Sequence, residues 1–186
     1  MAANRDEIVA VAIHHLNHAP NASMAEIAQA AGISRATLHR HFSTRADLQY
    51  ELATRALDAW AKTHATVGLA DALRADLDAE ALRRVIDELL TGHLAHADEH
   101  GFALTDHTMD GRQDLERRAG ELEALEVDLF AAAQRAGVLR ADLPPRWVSN
   151  IVYGLLVAVR ESMRRGDVAR RDVPTLFLET FYRGTS

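Results

Sequence analysis

The sequence predicts an all-α protein, and three observations support that prediction. Proline is sparse, with four in 186 residues. Runs of alternating β-branched residues, the usual sign of strands, are missing. Apolar residues instead recur at helical spacing. In the first helix they are Ile8, Val9, Ala12, Ile13 and Leu16.

Composition narrows the class of protein. Apolar residues make up 48% of the chain, which is enough for a globular core, and there is no cysteine for disulfides or thiolate chemistry. The first residues are polar, and the apolar run 151–159 is far shorter than the ~20 residues of a membrane-spanning helix. We expect a soluble cytoplasmic protein without a membrane partner.

Capping pairs mark the start of several helices. In each pair a residue that caps helices precedes an acidic residue by three positions. The pairs are Asn4 with Glu7, Ser23 with Glu26, and Thr44 with Asp47. Gly32 suits the end of the second helix, and Ser34 suits the start of the third. The third helix must therefore be short.

Longer helices follow. One is expected to run to about His64, and a looser stretch without a regular helix follows over 66–78. Further helices are expected over about 79–97 and 112–136, with a shorter piece around 102–110 between them, then from Pro145 and from Pro174 to the end. We divide the chain into an N-terminal three-helix helix-turn-helix domain at 1–50 and a C-terminal helical ligand-binding and dimerisation domain at 51–186.

The charge is unevenly distributed between these parts. The whole net charge of −6 lies after residue 50, whereas residues 27–46 hold three arginines and no acid. An acid-free patch on an acidic protein can present a docking face for a polyanion. A stretch of this length without an acid also arises by chance.

The segment ISRATLHRHF explains that patch. On a helical wheel Leu38 and Phe42 face inward, while Ala36 and Arg40 face outward. Two short helices joined at a glycine, the second with a cationic outer face, are typical of a helix-turn-helix that enters the DNA major groove. The alternative is three core helices with a solvated outer face.

The stretch SMAEIAQAAGISRATLHRHFSTRADL resembles the helix-turn-helix signature of TetR-type transcriptional regulators. The matching positions are Ile27, Ala28, Ala31, Gly32, Ile33, Ser34, Thr37, Leu38, His41 and Phe42. Two positions depart from the family pattern: His39 stands where a tyrosine is usual, and Arg45 where a lysine is usual. The residues expected to contact DNA are Ser23, Ser34, Arg35, Ala36, Thr37, His39, Arg40, His41 and Arg45.

The resemblance implies a ligand-responsive regulator of transcription. We expect a repressor that a small-molecule effector, of unknown identity, releases from a palindromic double-stranded DNA operator. It also implies a homodimer formed through the last two helices. No catalytic constellation is evident, so neither enzyme activity nor a cofactor is expected.

The helix after Pro145 has an apolar arc wider than one core requires. Trp147 and Ile151 lie on one side of it, and a second apolar set lies on another. The second set, with the last helix, is predicted to form the dimer interface: Val148, Val152, Leu155, Leu156, Val159, Met163, Leu176, Phe177 and Phe181. A helix buried at the centre of a monomer is the alternative.

A set of aromatic, aliphatic and histidine residues is predicted to line an effector pocket. Its members are Trp60, Leu90, His93, Leu94, Phe102, Met109, Leu122, Leu125, Phe130, Trp147 and Ile151. The same residues fit a packed core equally well.

His93, His96 and His100 share one helical face and could ligate a metal ion. A metal-dependent enzyme or metal-binding protein is therefore the alternative function. No acidic or cysteine motif supports it, and surface or pocket histidines are the simpler interpretation, so no metal is expected.

Overall fold

The computed structural model describes residues 4–101 and 111–186. Over these residues the chain forms nine α-helices, a 3-10 turn at Arg170–Asp172 and no strand. The helices are α1 (Arg5–His18), α2 (Met24–Ala30), α3 (Arg35–His41), α4 (Arg45–Thr66), α5 (Leu69–Arg74), α6 (Ala79–Glu99), α7 (Gln113–Arg135), α8 (Pro145–Arg165) and α9 (Val173–Thr185). The all-α prediction is confirmed. The helix expected over 102–110 lies outside the described residues.

Helices α1 to α3 form the head of the molecule. Its predicted caps are present: Asn4 accepts a hydrogen bond from the backbone N–H of Glu7, and Ser23 from that of Glu26. Gly32 has φ +65°, a conformation that favours glycine and lets the chain turn sharply between α2 and α3. The apolar core of the head also includes the start of α4. It consists of Ile8, Val9, Ala12, Leu16, Ala22, Ile27, Ala28, Leu38, Phe42, Leu48 and Leu52.

Helix α4 connects the head to the rest of the chain. It has 22 residues and begins at the predicted Thr44 cap. Leu48 and Leu52 are buried in the core of the head, whereas Leu57 packs in a separate cluster with Leu115 of α7. The predicted division between residues 50 and 51 therefore falls inside one continuous helix.

Helices α5 to α9 form the body, whose core lies between α6, α7, α8 and α9. Helix α5 lies in a stretch for which no regular helix was predicted. Helix α6 approaches α4 closely at Gly92, where an added Cβ would lie 2.5 Å from Thr63 Cγ2. Gly92 therefore allows these two helices to pack tightly. Within the described ranges, no helix is long and apolar enough to cross a membrane.

Candidate DNA-binding surface and ligand cavity

The outer face of α3 is polar and carries no acidic side chain. Leu38 holds the inner face with 1% of its surface exposed. Arg35, Ala36, His39 and Arg40 are exposed. The inward and outward faces of α3 thus lie as the helical wheel predicts.

A chain of hydrogen bonds runs along this face. Ser34 Oγ lies 2.9 Å from Thr37 Oγ1 and accepts a bond from the Thr37 backbone N–H at 3.0 Å. Arg40 Nη2 donates to Thr37 Oγ1 at 3.2 Å. Because a guanidinium has five N–H donors, Arg40 retains most of them for a base edge or a phosphate. The chain therefore restrains Arg40 without using up its hydrogen-bonding capacity.

Two residues predicted to contact DNA are engaged within the protein. The Arg45 guanidinium donates to the Ala22 carbonyl, which joins the start of α4 to the loop before α2. The Ser23 hydroxyl donates to Glu26 Oε2 at 2.7 Å. These bonds support the shape of the head. A role for either residue at DNA stays a prediction.

Arg5 is a residue of the head that the sequence analysis missed. Its Nη1 donates to the His41 carbonyl at 2.8 Å, and its Nη2 donates to Glu51 Oε2 at 3.0 Å. Its guanidinium carbon lies 4.3 Å from the centre of the Phe42 ring. Arg5 thereby ties the end of α3 to α1 and α4. No local pattern could have revealed it, since its partners are 36 and 46 residues away.

A cavity of about 500 Å³ lies in the body between α4, α6, α7 and α8. This volume is within the range of small-molecule sites, roughly 300–1,000 Å³. Most of the wall is apolar, with Leu57, Val152 and Leu156 among the contributors. No lysine or arginine of the described part of the chain lines it.

Glu126 is the polar centre of this cavity, with 3% of its surface exposed. Its Oε1 lies 2.7 Å from His64 Nε2 and 2.8 Å from His93 Nε2, and it accepts a bond from Trp60 Nε1 at 2.6 Å. Because a carboxylate oxygen can only accept when ionised, each histidine presents its Nε2–H to it. Three donors from two helices therefore converge on one carboxylate oxygen.

These contacts keep Glu126 ionised. Burial alone raises the pKa of a carboxyl group, but the bonds from His64, His93 and Trp60 outweigh that effect and lower the pKa of Glu126 to about 2. One helical turn beyond His93, burial and the neighbouring histidines lower the pKa of His96 from 6.5 to about 4. His96 is therefore uncharged at neutral pH, whereas Glu126 is negative.

The metal hypothesis grouped His93 with His96 and His100, but the structure separates His93 from the other two. His93 turns towards His64 and Glu126, and these three could together hold an ion. His96 instead lies beside His100, with ring centres 5.1 Å apart. Ligands held by tetrahedral zinc at 2.0–2.1 Å lie roughly 3.3 Å apart. Glu126 Oε1 lies 2.7 Å from His64 Nε2 and 2.8 Å from His93 Nε2, which are hydrogen-bond lengths. The geometry therefore favours a hydrogen-bond network over a zinc site.

The structure brings only part of the predicted pocket set to the cavity. Trp60 and His93 line the cavity. Leu90 and Phe130 are fully buried in the body core, and Leu125 and Ile151 pack against that core. Leu94 lines a smaller groove, and Leu122 belongs to the same small cluster as Trp60. Trp147 is 54% exposed. Phe102 and Met109 lie outside the described residues.

Most of the residues predicted at the dimer interface are covered within the protomer. Five residues expected at a dimer interface are buried in the core of the protomer: Val148, Val152, Leu156, Phe177 and Phe181. Leu155 and Val159 pack against that core, and Met163 is half-buried in the smaller groove. On α8 and α9 the exposed large hydrophobic residues are Trp147 at 54%, Tyr153 at 53% and Leu176 at 45%. Trp147 therefore lies on a face of α8 that the described protomer leaves uncovered.

A capped helix-turn-helix on a helical body with a cavity indicates a DNA-binding transcriptional regulator. Residues 10–52 match the family described as bacterial regulatory proteins, tetR family. The chain is 30% identical over 175 residues to the HTH-type transcriptional regulator NfxB of Pseudomonas aeruginosa, covering 90% of this chain and 86% of that protein. The chain belongs to the tetR family of bacterial regulatory proteins.

A second relative is known with a ligand. The HTH-type transcriptional repressor LfrR of Mycolicibacterium smegmatis is 30% identical over 148 residues, covering 79% of this chain and 72% of that protein. A crystal structure of LfrR in complex with proflavine has the same fold, with a TM-score of 0.69 and 21% identity over 95% of this chain and 93% of that one. The predicted family and fold class are therefore confirmed.

Proposed function

We propose that this regulator is a homodimeric repressor that binds a palindromic operator and leaves it when a small molecule enters the cavity. The observation that carries the proposal is the acid-free outer face of α3, on which Thr37 restrains Arg40. Arg35, Ala36 and His39 flank Arg40 on this face. The existence of LfrR, a named repressor with a bound proflavine, supports both repression and a small-molecule effector.

Selection of bound duplexes from a random DNA pool tests the operator. We expect a near-palindromic sequence whose half-sites are centred about one turn of DNA, roughly 34–36 Å, apart. A promoter carrying the selected site should then be silenced when the protein is present in a transcription reaction. Enrichment of no sequence, or an asymmetric site bound by one chain, would contradict the proposal.

The dimer interface that we propose is the exposed face of α8 together with α9. Trp147, Gly154 and Ala158 lie on that face at helical spacing, with half-buried Ile151 at its edge, and Leu176 is the exposed large apolar residue of α9. Gly154 has no atom of the protomer within 4 Å of an added Cβ. A glycine that the protomer does not need is consistent with a partner helix passing close by.

Gly154→Leu tests the interface without a clash inside the protomer. Light scattering should show monomers for this variant and dimers for the natural chain. Ala124→Leu, which adds the same side chain to an exposed position of α7, should stay dimeric. Dimeric Gly154→Leu with unchanged DNA binding would rule out this interface.

Helix α7 offers a route from the cavity to the head. Near its start, Asp114 accepts a bond from the Tyr50 hydroxyl at 2.6 Å, and Arg112 donates to the Ala46 carbonyl at 2.8 Å. Glu116, Ala119 and Gly120, which follow on the same helix, line the cavity. A ligand that moves α7 would therefore move the start of α4 and the head with it.

A further inference from the structure

The two carboxylate oxygens of Glu126 differ: Oε1 accepts hydrogen bonds, whereas no described residue bonds Oε2. All three hydrogen bonds go to Oε1. The side chain also lines the cavity, so Oε2 is the part of the carboxylate left for a ligand. A buried carboxylate loses its hydration and is stable only with charged or hydrogen-bonding partners. Oε2 is therefore open to a donor that the described residues do not supply.

Among the described residues, no lysine or arginine faces Glu126 in the cavity. Glu123 at the wall is paired with Arg146 at 2.5 Å, and Glu116 accepts a bond from the Gly111 backbone N–H at 2.8 Å. Glu126 has no lysine or arginine partner among the described residues. In the described part of the chain, its side-chain partners are His64, His93 and Trp60 alone.

Two aromatic side chains line the same cavity as Glu126. Trp60 and Tyr153 both line the cavity, and the Trp60 ring centre lies 6.3 Å from that of His93. Aromatic faces attract cations and pack against flat apolar molecules. The rest of the wall is largely aliphatic, which disfavours a small hydrated ion such as free ammonium. The wall fits a ligand with an apolar body and one positive nitrogen group.

We propose that the cavity is a receptor for organic cations, in which an N–H of a flat or apolar monocation donates to Glu126 Oε2. This inference deepens the proposed function, since it names the chemical class of the effector. Neutral ligands of the same shape would leave the carboxylate without its partner. Anionic ligands would be repelled.

A matched pair of tricyclic compounds tests the proposal on the protein without DNA. Proflavine is a flat cation at neutral pH, and acridone is an uncharged tricycle of similar size. Both fluoresce, so each can be titrated directly. The natural protein should bind proflavine at submillimolar concentration and at least about tenfold more tightly than acridone, since one favourable ionic contact of this kind exceeds 1.4 kcal/mol.

Glu126→Gln removes the charge and keeps a carbonyl oxygen for the three donors. Proflavine affinity should fall by about 30-fold or more, because the buried cation loses its charged partner. Acridone affinity should stay within about twofold of its value in the natural protein. Acridone binding also shows that the variant is folded. Glu121→Gln, which removes a charge from the exposed side of the same helix, should leave both affinities unchanged.

Several results would overturn the proposal. The natural protein could fail to bind proflavine, or could bind both tricycles with equal affinity. Glu126→Gln could weaken the binding of both tricycles equally, or Glu121→Gln could weaken proflavine binding as much as Glu126→Gln does. Displacement of proflavine by stoichiometric Zn²⁺ would also overturn it, because the cluster would then be a metal site. If Glu126→Gln does not fold, the preference of the natural protein for proflavine over acridone decides alone. DNA binding is measured separately, so an intact operator complex without proflavine binding would reject the ligand class and retain the regulator.

Discussion

The polar residues of α3 and those around Glu126 are assembled in opposite ways. Ser34, Thr37 and Arg40 come from successive turns of one short exposed helix. The Glu126 cluster instead draws side chains from α4, α6 and α7 into a site where the carboxylate is 3% exposed. The first set keeps donors free for an outside partner. The second directs all its donors to one internal acceptor.

Because of this difference, substitutions in one region should affect DNA binding and substitutions in the other should affect stability. Exposed polar groups are solvated whether or not they bond one another, so their loss changes stability little. A buried network is costly to break, because the groups left behind can reach neither water nor a new partner. Substitutions on α3 should therefore alter DNA binding, and substitutions around Glu126 should alter folding.

Glu126→Leu should have the largest effect. It leaves the N–H groups of Trp60, His64 and His93 without their acceptor, and we expect the free energy of unfolding to fall by about 3–5 kcal/mol. Glu126→Gln should lose much less, because it retains an acceptor. Urea denaturation followed by circular dichroism measures both. Equal stability of Glu126→Leu and the natural protein would mean that the network contributes nothing to folding.

Acidification should destabilise the body through His96. Its pKa is about 4 in the folded chain and 6.5 ordinarily, so the unfolded chain binds a proton first as the pH falls. The associated stability is fully present above pH 6.5 and is lost progressively down to about pH 4. Over that window we expect about 1–3 kcal/mol from this group.

Denaturation of His96→Gln and of His39→Gln at pH 7 and pH 4.5 isolates that effect. The first variant should lose less stability on acidification than the natural protein. The second, which alters an exposed residue of the head, should lose as much as the natural protein. Identical pH profiles for all three proteins would assign the acid sensitivity to other groups.

Arg40→Ala should act on the operator and not on folding. We expect a loss of about 1–3 kcal/mol in operator binding and a relaxed preference at one base position per half-site. Arg45→Ala should instead lower the melting temperature of the head, because it removes the bond to the Ala22 carbonyl. Anisotropy titrations of each variant with operator and random duplexes separate a loss of operator binding from a loss of stability. An equal loss on both duplexes for Arg40→Ala would make it a phosphate contact.

Tyr50→Phe should have the smallest effect. It deletes the hydroxyl that bonds Asp114 and leaves the rest of α4 intact. The factor by which proflavine weakens operator binding should shrink by about two- to threefold, a small part of a typical allosteric coupling. Thr54→Val, which removes a hydroxyl that only bonds its own helix at the Tyr50 carbonyl, is the matched control. Unchanged coupling in Tyr50→Phe would show that this contact does not transmit the ligand signal.

The head was predictable because its signals are local. Caps three residues apart and inward residues such as Leu38 can be read within one or two helical turns. The body was not, because Glu126 lies on a helix with other acids, and sequence does not tell which carboxylate turns inward. Helix α8 shows the same limit. Val148 and Trp147 both lie on apolar faces, and only the packing of α6, α7 and α9 decides which face the protomer covers.

The contacts of Arg5 have a consequence for how the chain is made. Arg5 is synthesised before its partners His41 and Glu51, which follow 36 and 46 residues later, and the Arg55 bond to Asp6 spans 49 residues. The end of the DNA-reading helix thus cannot be locked in place until α4 is well under way. Contacts of such separation slow closure, since the loop entropy is lost before the contact forms. A nascent chain halted at residue 50 would carry the exposed side chains of α3 and could form the Arg5 bond to the His41 carbonyl, but it would lack Glu51, the carboxylate that holds Arg5 from α4.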